Sequence, residues 1–183
     1  MLRRRRAPDD PLGHVDPAAV SARFAPAVAE AVEARRRFAA VLAGVREGPT
    51  RDRLVAAGTR LDAGVLAVWE TAGRATQIER TLTTLDPERV TDDYKRAKRS
   101  GSDSALEQAL AQRFASVQRL LNALDDTDDR LRLLDARLGA AVAAAAEVAL
   151  GATGGGGADA LDAELDGVVA ELDALRHALT ELS

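Results

Sequence analysis

Residues 104–150 read SALEQALAQRFASVQRLLNALDDTDDRLRLLDARLGAAVAAAAEVAL, and Leu110, Val117, Leu124, Leu131, Leu138 and Ala145 recur in them every seven residues. Phe114, Leu121, Leu134, Val142 and Val148 widen that row into a stripe. Apolar side chains seven apart stay on one side of a slightly underwound helix, so the stretch predicts a helix coiled lengthwise against a neighbour. As one rod from Ser104 to Leu150 it would run roughly 70 Å, at 1.5 Å per residue. A compact domain of this length measures only about 40 Å across. Asp125-Asp126-Thr127-Asp128-Asp129 are poor helix formers in a row and mark where the rod would bend. The period of seven passes through them unbroken, which favours continuity.

C-terminal to this stretch, Gly151 and Gly154-Gly155-Gly156-Gly157 form a flexible loop, residues 151–157. The last helix follows, with Leu161, Leu165, Val168, Leu172, Leu175, Leu179 and Leu182 alternately four and three apart. That face must be buried, on the preceding helix or on another chain, so these seven residues are interaction candidates.

N-terminal to the stretch, the pattern breaks over 86–104, which reads as a linker with a short helix around Tyr94, opened by Asp86-Pro87. Before it, Leu54, Leu61, Val68, Ala75 and Leu82 again recur every seven residues behind Thr50, a candidate cap. Gly48-Pro49 separates this helix from an earlier row: Phe24, Val28, Ala31, Phe38, Leu42 and Val45, interrupted by Arg35. Asp16-Pro17 reads as a helix start, and Pro26 as a kink or restart. Residues 1–15 read as a disordered basic arm. The expectation is an all-α protein, an elongated antiparallel helical bundle or coiled coil of about four long helices. They form two αα-hairpins, 16–85 and 105–183, in one domain overall.

Composition supports thin helical seams over a shaped pocket. Hydrophobic residues make up 46% of the 183 but aromatics only 3%, so Ala, Leu and Val carry the core. The absence of Cys removes disulfides and thiolate chemistry together. A net charge of −4 argues against general nucleic-acid binding. Lys95 and Lys98 are the only lysines, and the Arg, Ala, Gly and Asp excess points to a high-GC bacterial genome. The four arginines Arg3–Arg6 resemble the start of a signal peptide, but Pro8-Asp9-Asp10-Pro11 stands where its apolar stretch belongs. A cytoplasmic protein is expected.

No catalytic constellation is legible. In a helix Asp125 shares a face with Asp128 and Asp129, which could hold Mg²⁺ or Ca²⁺, yet no bidentate Glu or turn Gly accompanies them. A solvated stretch is the simpler reading. His14 and His177 are the only histidines, and neither has a Glu three residues before it, so no di-iron Glu-x-x-His pair exists. Phosphate-cradling and nucleophile-elbow motifs are lacking too. We therefore expect no enzyme, no cofactor, no metal, no nucleic acid and no small-molecule substrate. Trp69 reads as packing at the seam edge, with contact to a partner as the sharper alternative. Arg3, Arg4, Arg5 and Arg6, and separately Lys95-Arg96-Ala97-Lys98-Arg99, are the basic clusters.

Two functions fit. One is a coiled-coil interaction or scaffold protein, pairing with itself or a protein partner. The other is a peripheral membrane protein contacting anionic lipid through Arg3–Arg6. Long helical hairpins behind a basic N-terminus resemble the phage-shock-protein A class in architecture, which implies a stress or membrane-remodelling role. That class opens with an amphipathic membrane helix, whereas this chain opens with a short polar arm.

Overall fold

A computed structural model of the protein describes residues 12–101, 104–151 and 156–180. These are helical nearly throughout: α1 (Ala25–Ala43), α2 (Pro49–Leu85), α3 (Pro87–Ser100), α4 (Ser104–Leu150) and α5 (Gly156–Thr180). Among the described residues there is no strand.

α4 is one uninterrupted helix of 47 residues, so the Asp125–Asp129 run does not break it. Its rows hold because apolar spacing outweighs the weak helix propensity of aspartate, which neighbouring arginines offset as described below. Val117, Leu124, Leu131, Leu138 and Ala145 are all buried. So is the α2 row from Leu54 to Leu82, along with Phe24, Val28, Ala31 and Phe38 of the first row.

The helix starts differ from expectation at two places. Asp16-Pro17 opens only a three-residue 3-10 turn, Pro17–Ala19, capped by the Asp16 carboxylate on the Ala18 N–H. Pro26, which cannot donate within a helix, sits instead in the first turn of α1, so the helix restarts there. Thr50 is not a cap. Gly48 takes that position with φ near +144°, and Pro49 occupies the first helical place.

The short helix expected around Tyr94 is present as α3 and takes up 14 residues of the stretch expected as linker. Asp86 leaves the α2 spiral in the left-handed region, a conformation Asp tolerates better than most residues. Its N–H still reaches Leu82 O, while its carboxylate accepts from Arg89 N at 3.1 Å and so caps α3. Gly101, at φ +60°, ends α3 and turns the chain toward α4.

Pairwise contacts set the arrangement. α1 lies against α2 and α4, and α5 against α4 and α2, while α2 and α4 also touch each other. The two expected hairpins therefore pack together. α3 packs chiefly on α4, where Tyr94 stacks on Phe114 at 4.8 Å. At Gly64, a Cβ would come within 3.1 Å of Val168, so a missing side chain lets α2 approach α5 and α4 closely.

The molecule thus has two parts. In the body, α1, α2 and α5 surround the C-terminal two-thirds of α4. In the arm, the N-terminal third of α4, α3 packs on it, with Tyr94 against Phe114. α1 reaches α4 at Asp125, where Arg23 pairs with it, and does not extend toward Ser104.

Candidate interaction surface

The α5 row is inside the chain. Leu161, Leu165, Val168, Leu172 and Leu175 are all under 5% exposed, packed on α4 and α2. Their partner is therefore this chain's own helices, and they offer no free seam to another molecule. The Leu179 side chain and Leu182 lie outside the described residues, as do Arg3, Arg4, Arg5 and Arg6.

Electrostatics explain why the acidic run is tolerated. Arg23 bonds Asp125 at 2.7 Å and approaches Asp128 at 3.8 Å. Arg132 takes Asp128 at 2.7 Å and Asp129 at 3.2 Å, and Arg130 takes Asp126 at 2.9 Å. Arg130 also reaches Glu171 on α5 at 3.3 Å. Each carboxylate of the run therefore has a guanidinium, and two of these arginines tie α4 to α1 and α5. Carboxylates so neutralised are poor cation ligands. Among the described residues no group of three or more His, Asp or Glu side chains is placed to hold a metal ion.

The same device fixes the other seams. Arg35, which interrupts the first row, turns to Asp62 of α2 through both Nε and Nη2. Arg60 of α2 joins Asp162 at 2.9 Å and also Asp166 on α5. Arg51 donates to Leu42 O and Val45 O, covering the carbonyls at the end of α1.

Trp69 is half-buried on α2 with the edge of His14 against it, ring centroids 5.1 Å apart. Its indole N–H is buried without a hydrogen-bond partner among the described residues. Leu12 and Val15 pack on the core beside it, so residues 12–15 belong to the folded body, contrary to the expectation of disorder up to residue 15. The packed segment holds Trp69 against the protein rather than presenting it outward. His177 is exposed, with Nδ1 3.1 Å from Asp173 O one turn back.

Among the described residues, the body carries three hollows that can be traced. One of about 190 Å³ lies where Leu54, Ala57 and Arg60 face Val148, Leu161 and Asp162. Another of about 210 Å³ lies between α1 and α4 at Arg23, Glu30 and Asp135. A wider dish of about 500 Å³ sits at the loop end, between Gly44–Thr50 and Val148–Gly151. Arg46, Glu47 and Thr50 are the polar residues of its lining.

Exposed large apolar side chains occur on the body, at Val55, Leu133, Leu150 and Val169, and on the arm at Leu106. Leu106 is 53% exposed, and Leu110, Phe114 and Leu120 are only half-buried. Sequence reading credited Leu110 and Phe114 to the seam but gave no role to Leu106 or Leu120. A signal was available: the α4 row begins well before any other long helix can reach it. On α3, Arg89 and Arg96 share Asp93, at 3.9 and 3.7 Å. No carboxylate among the described residues lies within 4.0 Å of Lys95, Lys98 or Arg99; Arg99 Nε donates instead to Lys95 O.

No protein-family model matches the chain, and no curated protein and no solved structure matches it.

Proposed function

We propose that the chain is a non-enzymatic scaffold, an elongated antiparallel helical bundle of coiled-coil type that pairs lengthwise with a second copy or with a partner's helix. The observation that supports this most is the apolar row of α4 running on past the body. Val117 is buried, Leu110, Phe114 and Leu120 are half-buried, and Leu106 is exposed. A further helix laid in the lane that α1 leaves empty would cover them, as helix-in-groove recognition does elsewhere. The α5 row cannot serve, because it is already covered.

Light scattering across a concentration series tests the self-pairing form. Self-pairing requires a mass above the 19.3 kDa of one chain, returning to it when Leu110 and Leu120 are both changed to Glu. One-chain mass at every concentration rules it out and leaves only a foreign helix as partner.

A second reading, contact with anionic lipid, is supported by a different observation. Lys95, Lys98 and Arg99 of the arm have no carboxylate within 4.0 Å among the described residues, in a chain whose net charge is −4.

A further inference from the structure

We propose that the free end of the arm, which carries Lys95, Lys98 and Arg99 on α3 and Leu106 on α4, is the surface that binds an anionic phospholipid bilayer. The inference rests on the lipid reading above and moves its contact from Arg3–Arg6 to the arm.

Charge is distributed unevenly along the molecule. In the body, Arg23, Arg35, Arg51, Arg60, Arg130 and Arg132 all hold carboxylates. Between residues 94 and 119 the basic residues are Lys95, Arg96, Lys98, Arg99, Arg113 and Arg119, against the acids Asp103 and Glu107 alone. Lys95, Lys98 and Arg99 stand at i, i+3 and i+4, so they share one side of α3, and all three are exposed. Gly101 then turns the chain, and Leu106 follows on the first turns of α4, 53% exposed at the same end.

The pairing of cations with a bare leucine selects the partner. A nucleic acid would gain from the cations, but its phosphates offer a leucine nothing. An anionic bilayer takes both: headgroups meet the cations, and the leucine enters the boundary of the acyl region. Long basic side chains can rise toward the headgroups while their methylene stems follow the leucine inward. The end is two helices wide, roughly 20 Å, and can meet a surface end-on.

The test is flotation of the full chain with phosphatidylcholine vesicles, with and without phosphatidylglycerol. Binding is expected only with phosphatidylglycerol. Each neutralised cation should lower partitioning about five-fold, so Lys95→Gln, Lys98→Gln and Arg99→Gln together should lower it on the order of a hundred-fold. Leu106→Ser should lower it several-fold, and removal of residues 1–11 should leave it unchanged. Helical content by circular dichroism must match the parent chain; should the triple variant unfold, the single Lys98→Gln with its five-fold loss decides. A parent chain that ignores phosphatidylglycerol vesicles overturns this inference and the lipid reading together. Variants of the arm that float like the parent, while the 1–11 deletion does not, overturn only this inference. Tighter capture of a DNA duplex than of vesicles, lost in the triple variant, would also overturn it.

Discussion

α4 passes through two environments within one helix. At Leu131 and Leu138 it is surrounded by other helices and its apolar side chains are shielded almost completely, at 1% and 0% exposure. At Leu106 and Leu110 the row is continued with the same residue type, yet Leu106 is exposed and Leu110 half-buried. α3 contributes only Val90 and Ala97 as fully buried side chains. Charges differ in parallel: Arg35, Arg60 and Arg130 of the body close ion pairs between helices, whereas Lys95, Lys98 and Arg99 of the arm have no carboxylate within 4.0 Å among the described residues. An apolar heptad row therefore says that a helix has a neighbour, and the number of neighbours decides whether that row is core or surface.

Substitutions along α4 should expose this contrast. The largest effect belongs to the body: Leu138→Ala should cost about 2–5 kcal/mol in urea unfolding, the range for a buried leucine leaving a cavity. A loss below about 1 kcal/mol would mean that the site is not enclosed. Phe114→Ala on the arm should cost about 1–2 kcal/mol, less than a fully buried phenylalanine, because its side chain is only partly shielded, by the Tyr94 stack and the edge of the core.

Arg23→Ala should cost under about 1 kcal/mol, since its Asp125 partner is 71% exposed, and the loss should shrink further in high salt. Equal losses at low and high salt would argue that Arg23 acts by packing its stem, not by charge. Smallest of all, Leu106→Ser should change stability by no more than about 0.5 kcal/mol. A larger loss would place a hidden neighbour over the arm.

Much of this was legible from spacing. The rows Leu54–Leu82 and Val117–Ala145, and the α5 row as far as Leu175, are the core, because a period of seven leaves a helix no other dry arrangement. Continuity through Asp125–Asp129 was legible for the same reason. What carries the aspartates is less visible, since Arg23 lies 102 residues away from Asp125 and no local pattern announces that pair. α3 was read as a short helix around Tyr94 inside a linker, because its apolar residues are few and its charges many, and it fills most of that stretch. Its order comes from the Asp86 cap, the Gly101 stop and packing on α4. Residues 12–15 were read as part of a loose arm, for the contacts of Leu12, His14 and Val15 are tertiary and leave no periodic trace. The Trp69 environment is hidden likewise, as the His14 edge reaches it from 55 positions earlier in the chain. For interaction sites the lesson is sharper: the cleanest apolar row in the sequence, on α5, is consumed inside the fold as far as Leu175.

Native-state hydrogen exchange along α4 tests the contrast most directly, reading each amide's opening free energy. Protection should be greatest from Leu131 to Ala145 and fall steeply on the Ser104 side of Val117, where local opening of the arm should suffice for exchange. Uniform protection from Ser104 to Leu150 would contradict a body and an arm of unequal cover.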